Sequence, residues 1–300
     1  MKTINIGMAG LDTSHAPAFA TLLHDPSQEF HVPGARIVAA FPGGSPDFPQ
    51  SINRVAGYTD ELRDKHGVEI VGSLAGVRGK CDAIMLETID GRVHLEQFRE
   101  VSTWGVPVFI DKPLTVSAGE ARELAEIAQK NNVRVMSASA LRFAEAFRQA
   151  LGKFEGEPIL GADFYGPMFH VEKCPGYFWY GIHSAEMLFT AMGEGCREVR
   201  ANRQEKHDII VGQWSDGRLG VLRGTRSGNA GFGGVIHGAA KSVAFDVSTV
   251  TKPYYASLLE RVIPFFRDGT EFVSANEMVE VIAFLEAANL SADSNNSISL

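Results

Sequence analysis

Short apolar runs alternate with amphipathic segments through the first half of the chain. The runs have the length of buried strands and occur at residues 3–10, 35–41, 81–88, 107–111 and 133–139. The segments between them have helical spacing, and they predict helices at 14–25, 52–66, 93–105 and 117–132. Because this alternation is typical of parallel strands joined by crossover helices, it predicts a parallel sheet covered on both faces.

The pattern changes after about residue 150. Residues 209–226 alternate between apolar and polar positions and carry Ser-Asp-Gly at their centre, which predicts a β-hairpin. A further strand is predicted at 235–247, and helices at 253–269, interrupted at Pro264, and at 274–291. Strands in hairpins with helices gathered on one side indicate a second domain of the α+β class.

Composition excludes several classes of partner. The chain has 300 residues, 45% of them hydrophobic and 21% charged, which is enough for two domains with real cores. A net charge of −8 argues against nucleic acid and anionic membranes. No apolar run approaches the roughly 20 residues of a membrane span. The three widely spaced cysteines form no metal pattern, so we expect reduced thiols, no metal site and a cytoplasmic protein.

The turn after the first strand, GLDTSHA, lies where nucleotide-binding folds place G-x-G-x-x-G. Gly10 fits the first glycine, but Asp12 and His15 occupy the second and third glycine positions. Two interpretations remain open: a dinucleotide loop, and a helix start capped by Asp12. After the second strand, Ser45 and Arg54 could meet a 2′-phosphate, although a flexible surface loop carrying Asp47 explains the same residues.

Charged residues also follow two other buried strands. The segment ETIDGRVH, residues 87–94, ends in His94, which could cap a helix, pack or touch a ligand. The trio Asp111-Lys112-Pro113 lies where the carboxyl end of a parallel strand is predicted, and α/β sheets bind ligands at that end. A lysine fixed there can hydrogen-bond a substrate hydroxyl and stabilise a developing alkoxide. The alternative is a surface lysine at a strand terminus.

The segment from Cys174 to Gly193 places His183 near the start of a predicted helix, beside the aromatic run YFWY at 177–180. A neutral imidazole at the positive end of a helix can serve as a general base. The aromatic run is either a wall for stacking a carbohydrate or part of the core. A lone histidine is more often structural, and only the aromatic neighbours favour a functional one.

Four segments together resemble the Gfo/Idh/MocA oxidoreductases, the family of glucose-fructose oxidoreductase and inositol dehydrogenase. They are VFIDKPL, at the place of the family's E-K-P motif, then SALRF, GIHSAEMLFTAMG and the closing VSANEMVEVIAFLEAANLSA. The resemblance covers most of the chain. It implies an α/β protein with a doubly wound, parallel Rossmann domain at 1–145. A C-terminal α+β open-sheet domain at 146–300 would serve substrate binding and oligomerisation.

The resemblance also implies an activity and a set of site residues. The activity is NAD- or NADP-dependent hydride transfer on a sugar, cyclitol or related polyol. Separately, a second-domain sheet with one open apolar face would need covering, which predicts a homo-oligomer such as a dimer or tetramer. Lys112 and His183 would be catalytic. Substrate contacts are assigned to Tyr165, Trp179 and Tyr180. Cofactor contacts are assigned to Gly10, Leu11, Asp12, Thr13, Ser14, Glu87, Thr88, His94, Asp111, Lys112 and Arg142.

Two departures from the family pattern keep other functions open. The family's D-x-G-x-H pattern has an Asp four residues before its histidine, and Trp179 stands there in this chain. The glycine loop carries Asp12 in place of a glycine. A binding or regulatory protein without redox turnover is therefore one alternative. A lyase or hydrolase that oxidises its substrate transiently is another.

Overall fold

The computed structural model describes residues 2–300, which form two compact units. The first unit holds the chain up to Thr115, residues 119–138 and residues 255–275. The second unit holds residues 116–118, 139–254 and 276–300. Residues 255–275 thus lie in the first unit, although the sequence-based division at 145/146 assigned them to the second domain. The roles of the two domains stay predictions.

The first unit is built on a parallel sheet with crossover helices. Its strands are β1 (Ile4–Ala9), β2 (Ala35–Phe41), β3 (Glu69–Ile70), β4 (Ala83–Leu86), β5 (Val108–Ile110) and β6 (Val135–Ser137). Its first helices are α1 (His15–His24), α2 (Pro49–His66), α3 (His94–Val101) and α4 (Ala118–Lys130). The strand order is β3-β2-β1-β4-β5-β6, and every pairing is parallel. The predicted doubly wound sheet is confirmed. Only β3, two residues long, had no sequence signal.

The rest of the chain alternates between sheet and helix. Its elements are α5 (Glu145–Gly152), β7 (Ile159–Pro167), α6 (Gly181–Met192), β8 (Cys196–Arg203), β9 (His207–Trp214), β10 (Leu219–Thr225), β11 (Gly233–Gly238), β12 (Ser242–Asp246), α7 (Tyr254–Asp268), α8 (Ala275–Ser294) and β13 (Ile298–Ser299). The second sheet has the order β12-β11-β7-β10-β9-β8-β13 and is antiparallel except for the β7–β10 pair. The predicted α+β class is confirmed.

Two details of the second half differ from the prediction. The hairpin of β9 and β10 forms as expected and turns at Gly217, whose φ of +90° suits glycine. The single strand predicted at 235–247 is wrong, because β11 and β12 form a second antiparallel hairpin there. The residues between them, Ala239 to Lys241, carry no Asn-Gly or Asp-Gly turn signal. The sequence pattern over 235–247 therefore predicted one continuous strand.

Helix α7 continues through Pro264, so the predicted interruption is also wrong. Proline removes one backbone donor from a helix, but this helix buries a wide apolar face that includes Val262, Ile263, Phe265 and Phe266. Packing of that face outweighs the missing hydrogen bond.

The face of α7 packs within the first unit. The Tyr255 ring lies 4.8 Å from the imidazole of His15 and 5.6 Å from the ring of Phe19, centroid to centroid. Farther along, the Arg134 guanidinium donates to the carbonyl oxygens of Phe265 and Phe266 at 3.2 and 3.3 Å. A segment from late in the chain therefore completes the first unit.

The second sheet buries one face against helices. A Cβ on Gly220 in β10 would lie 2.8 Å from Leu188 of α6, and one on Gly212 in β9 would lie 2.8 Å from Phe284 of α8. These glycines let the helices approach the strands closely. At the starts of the two central strands β7 and β10, Leu160 and Leu219 are 50% and 51% exposed. Homo-oligomerisation stays a prediction.

Among residues 2–300, no helix is both long and apolar enough to cross a membrane. The thiols of Cys81, Cys174 and Cys196 form no disulfide there.

The loop after β1 touches the backbone that follows β4. Gly10 has a φ of +93°, and a Cβ at this position would lie 2.2 Å from the Thr88 backbone nitrogen. Its own amide donates to the carbonyl of Phe41 at 3.0 Å. The ends of β1, β2 and β4 therefore meet at Gly10, which has no side chain.

Gly10→Ala is expected to lower the free energy of unfolding by about 3 kcal/mol or more, since it combines a disfavoured φ with an overlap against backbone. Urea denaturation measures the change. The matched control is Gly57→Ala on α2, where a Cβ meets nothing within 4 Å. That change is expected to stabilise by about 0.5–1 kcal/mol. Equal stabilities of Gly10→Ala and the wild type would contradict the close approach.

Candidate active site

The carboxylate of Asp12 is turned into the first unit. It is fully buried and accepts hydrogen bonds from the Ile89 amide at 3.0 Å and from the Ser51 hydroxyl at 2.5 Å. Burial raises the pKa of Asp12, and the two hydrogen bonds oppose that rise. The predicted helix cap is not made, since the side chain of Asp12 ties the loop to α2 and to the segment after β4. Its charge does not point outward to where a phosphate would bind.

The start of α1 keeps open donors. The Leu11 amide donates to the Pro42 carbonyl at 2.7 Å. The amides of Thr13 and Ser14 donate to no atom of residues 2–300, and Ser14 is exposed at the first turn of α1. Open amides at the positive end of a ten-residue helix suit an anionic group such as a phosphate.

The loop after β2 is pinned by an ion-pair network. The Ser45 hydroxyl donates to Asp90 at 2.6 Å, and Arg92 bridges Asp90 and Asp47 at 2.7 and 2.9 Å. Burial by itself raises the pKa of Asp90, but Arg92 and Ser45 bring it below its usual value. The loop is therefore fixed rather than a flexible surface segment. Ser45 is held by Asp90, which restricts its predicted role toward a 2′-phosphate.

His94 clamps the segments that follow β4 and β5. It is fully buried, with Nε2 2.7 Å from the Thr88 carbonyl oxygen and Nδ1 2.9 Å from that of Pro113. Of the roles left open for His94, the structure shows packing and hydrogen bonding. The clamp fixes the turn at the Lys112–Pro113 peptide, which is cis. Lys112 itself is only 7% exposed.

A buried charged cluster lies beside this turn. The Nδ1 atom of His15 lies 2.9 Å from Asp111 Oδ2 and 3.8 Å from Glu87 Oε2. Burial by itself lowers the pKa of His15, but Asp111 and Glu87 raise it to about 9. Burial and the charge of Asp111 raise the pKa of Glu87 to about 7. Burial would also raise the pKa of Asp111, yet His15 and Lys112 hold it below its usual value.

The cluster is an ion-pair arrangement with few hydrogen bonds. The ligand atoms of His15, Glu87 and Asp111 all lie within 4.8 Å of one another, a spacing that could also hold a metal ion. Where no ion is bound, the direct contact of His15 with Asp111 and the raised pKa of His15 indicate a protonated imidazole at neutral pH. Both carboxylate oxygens of Glu87 are buried without a hydrogen-bond partner, so its charge depends on these neighbours.

In the sequence, His15 is conspicuous only as a misfit at the third glycine position. A usable signal was present: a titratable residue in an otherwise apolar helix start, followed along the chain by two acids at predicted strand ends. Because the ends of β1, β4 and β5 are neighbours in the sheet, such residues meet.

The second unit places His183 on the first turn of α6. Its Nδ1 lies 2.7 Å from the Ser139 hydroxyl oxygen. One turn further, Glu186 accepts from Arg142 Nε at 2.5 Å, and Arg142 also pairs with Glu277 at 2.5 Å. Arg142 is 2% exposed. Its predicted contact with a cofactor stays a prediction, while the ion pairs show that it anchors the 139–143 segment on α6.

Aromatic rings surround His183. The ring of Tyr180 lies 6.0 Å away and that of Phe232 5.5 Å away, both at steep angles, and Trp179 packs against Tyr180 at 6.3 Å. His183, Trp179 and Tyr180 are half-buried. Tyr165 is on β7, and its hydroxyl contacts Asp246 at 3.4 Å. The structure therefore gathers Trp179 and Tyr180 near His183. The substrate contacts of Trp179, Tyr180 and Tyr165 stay predictions.

Comparison with a family model supports the sequence interpretation. Residues 4–139 match the model of the GFO_IDH_MocA family, described as an oxidoreductase family with an NAD-binding Rossmann fold. The resemblance and the nicotinamide cofactor inferred from the sequence are confirmed at the level of this family. No curated protein matches the sequence.

Solved structures share the fold over the whole chain. GenD2 from gentamicin A biosynthesis, solved in complex with NAD, is 17% identical with a TM-score of 0.79, covering 100% of this chain and 97% of that one. A putative myo-inositol dehydrogenase from Sinorhizobium meliloti is 19% identical with a TM-score of 0.76, covering 99% of each chain. A myo-inositol dehydrogenase from Corynebacterium glutamicum is 16% identical with a TM-score of 0.78, covering 99% of each. At these identities, the likeness concerns the fold.

The contribution of the His15, Glu87 and Asp111 cluster to stability is expected to fall as the pH rises from about 5 to about 9. Folded Glu87 keeps its proton to about pH 7 instead of 4.5, and folded His15 to about 9 instead of 6.5. In both windows the folded state binds more protons, so each contribution is full below the unfolded pKa and lost as the pH passes the folded one. Urea denaturation at stepped pH measures this.

Glu87→Gln separates the two windows, because glutamine mimics the protonated acid. The variant is expected to lose the slope between about pH 5 and 7 and to keep the slope between about pH 7 and 9. Glu126→Gln, on the exposed side of α4, is the matched control and should follow the wild type. An unchanged slope in Glu87→Gln would show that this carboxyl titrates normally.

Proposed function

We propose, from the premise that residues 4–139 belong to the Gfo/Idh/MocA oxidoreductase family, that the protein transfers a hydride between nicotinamide and a hydroxyl-bearing carbon of a small polyol. Sugars and cyclitols are the substrate classes. The shared fold with proteins named as myo-inositol dehydrogenases supports this choice. The match of residues 4–139 to this family supports an NAD-binding oxidoreductase, and the polyol is the further step.

The observation that carries the proposal is the way the first unit holds Lys112. This lysine follows β5, is 7% exposed, and stands between Asp111 of the buried cluster and Pro113, whose carbonyl contacts His94. A lysine held on a rigid turn at the carboxyl end of a parallel strand can orient a substrate hydroxyl and stabilise a developing alkoxide. A surface lysine at a strand terminus, the alternative from the sequence, would not be buried.

The first unit also offers a dinucleotide a suitable loop. The open amides of Thr13 and Ser14 suit a phosphate, and the buried carboxylate of Asp12 does not oppose one. When bound, the nicotinamide supplies the hydride chemistry, and the chain supplies binding and orientation. Leu11 lies in the loop after β1, Glu87 and Thr88 follow β4, and Asp111 follows β5.

His183 is assigned to the substrate oxygen as the second catalytic group. It is half-buried, lies on the first turn of α6 and is flanked by Tyr180 and Phe232. An imidazole in such a position can exchange a proton with a hydroxyl group, and aromatic neighbours can stack against a sugar or cyclitol ring. Trp179 and Tyr180 are assigned to substrate contacts, and Tyr165 is retained as a third.

One observation favours a second candidate, a binding protein without redox turnover. Trp179 stands where the family pattern has an acid, so no carboxylate of that pattern supports His183. The other argument for this candidate was Asp12, and it weakens because the carboxylate is buried and hydrogen-bonded inside the unit. A lyase or hydrolase that oxidises its substrate transiently would share the same groups.

Cofactor titration and a substrate screen distinguish these functions. Fluorescence titration with NADH and with NADPH should show binding of at least one, and binding of neither would favour the non-redox candidate. Myo-inositol, other cyclitols and sugars are then screened for net change at the absorbance band of reduced nicotinamide. Product formation without net change would identify the transient-oxidation chemistry and reject the proposed dehydrogenase.

Lys112→Ala is expected to lower kcat by about 10²–10³-fold, because the group that stabilises the alkoxide is removed. Steady-state kinetics on a substrate from the screen measure this, with thermal unfolding to establish that the variant is folded. Lys130→Ala, at the exposed end of α4, is the matched control and should keep the wild-type rate. A wild-type rate in Lys112→Ala would remove this lysine from the mechanism.

A further inference from the structure

The Ser139 hydroxyl has a complete and restrictive set of contacts. Ser139 is fully buried, and its oxygen accepts from the Leu141 amide at 3.2 Å. The same oxygen lies 2.7 Å from Nδ1 of His183. Its backbone amide donates to the carboxylate of Glu186. Within residues 2–300 the hydroxyl of Ser139 has no further hydrogen-bond partner, and the backbone carbonyl of Ser139 accepts from the Arg142 amide at 3.1 Å.

These contacts fix where the hydroxyl hydrogen goes. A serine hydroxyl has one hydrogen to donate, and a buried donor without an acceptor is unfavourable. The Leu141 amide is itself a donor, so it cannot receive this hydrogen. Nδ1 of His183 is the acceptor that remains within reach. The hydroxyl therefore donates to Nδ1, and a neutral imidazole whose Nδ1 accepts must carry its own hydrogen on Nε2.

The segment that carries Ser139 is held firmly against α6. Ser139 and Arg142 are three residues apart, and they contact His183 and Glu186, which are also three residues apart on the helix. Residues at this spacing lie on one face of a helix. The ion pairs of Arg142 with Glu186 and Glu277 hold the segment independently of the hydroxyl. The ion pairs of Arg142 therefore keep the Ser139 hydroxyl in place, 2.7 Å from Nδ1 of His183.

We propose that Ser139 is a positioning residue that holds neutral His183 in the tautomer with its hydrogen on Nε2, leaving Nε2–H as the ring's donor to a substrate oxygen. This inference rests on the proposed function for placing His183 at the substrate oxygen, and in this tautomer the neutral ring is a hydrogen-bond donor there rather than the acceptor of the substrate proton. To accept a proton at Nε2, the neutral ring must first move its own hydrogen to Nδ1. That change leaves the Ser139 hydroxyl hydrogen without an acceptor, so the hydroxyl opposes it. Ser139 thus gives His183 a hydrogen-bond partner from another segment, in a chain where Trp179 stands in place of the acid of the family pattern.

The tautomer is measured by nuclear magnetic resonance on the full chain with ¹⁵N-labelled histidine. His183→Asn identifies the signals of His183 among the nine histidines. At a pH where the ring is neutral, the wild type is expected to show Nδ1 unprotonated and Nε2 protonated. Ser139→Ala is expected to give a mixture of both tautomers, and Ser139→Thr, which keeps the hydroxyl, should retain the wild-type pattern.

Ser184→Ala is the matched control, because Ser184 is buried beside His183 on α6 and its hydroxyl has no hydrogen-bond partner. It should leave the tautomer unchanged. A protonated Nδ1 in the wild type, or a wild-type pattern in folded Ser139→Ala, would overturn the inference. The readout needs neither cofactor nor substrate. A protein with the expected tautomer but no redox turnover would therefore reject the proposed function while leaving the tautomer assignment intact.

Discussion

The carboxyl ends of β1, β4 and β5 meet in the first unit, and this meeting constrains the residues placed around it. β1, β4 and β5 are neighbours in the sheet, and the loop after β1 approaches the backbone after β4 so closely that Gly10 has no room for a Cβ. The approach brings the start of α1 beside the acids that follow β4 and β5. A side chain at the first turn of α1 must then be apolar, absent or paired, and His15 is paired with Asp111.

This constraint explains how a degraded glycine pattern keeps a usable loop. Glycines at the second and third positions normally allow close approach and add no charge. Here the buried carboxylate of Asp12 accepts hydrogen bonds from the Ile89 amide and the Ser51 hydroxyl, and the buried His15 pairs with Asp111. The backbone amides of Thr13 and Ser14 remain available at the helix start. The loop would bind an anion through these backbone N–H groups, which are present whatever the neighbouring side chains are.

The sequence predicted most of the architecture, because strand length and helix period are local signals. Apolar runs located β1, β2, β4, β5 and β6, and Ser-Asp-Gly located the turn between β9 and β10. The failures have physical causes. The turn between β11 and β12 has no special turn residues, and the apolar face of α7 overrides Pro264. Among site residues, Lys112 and His183 were found from motif and position. The partners His15 and Ser139 were missed, because each lies far in sequence from the group it contacts: 96 residues separate His15 from Asp111 and 44 separate Ser139 from His183.

Helix α7 gives the molecule a particular order of assembly. It contacts α1 through Tyr255 and receives the Arg134 guanidinium at Phe265 and Phe266, yet it is synthesised more than a hundred residues after β6. During synthesis, the parallel sheet of the first unit therefore leaves the ribosome before α7 does. The apolar surface that α7 covers stays exposed until the chain has been made to residue 275. A gene fragment that ends at residue 145 would encode a first unit without residues 255–275. A single cut in the chain therefore does not separate the two units.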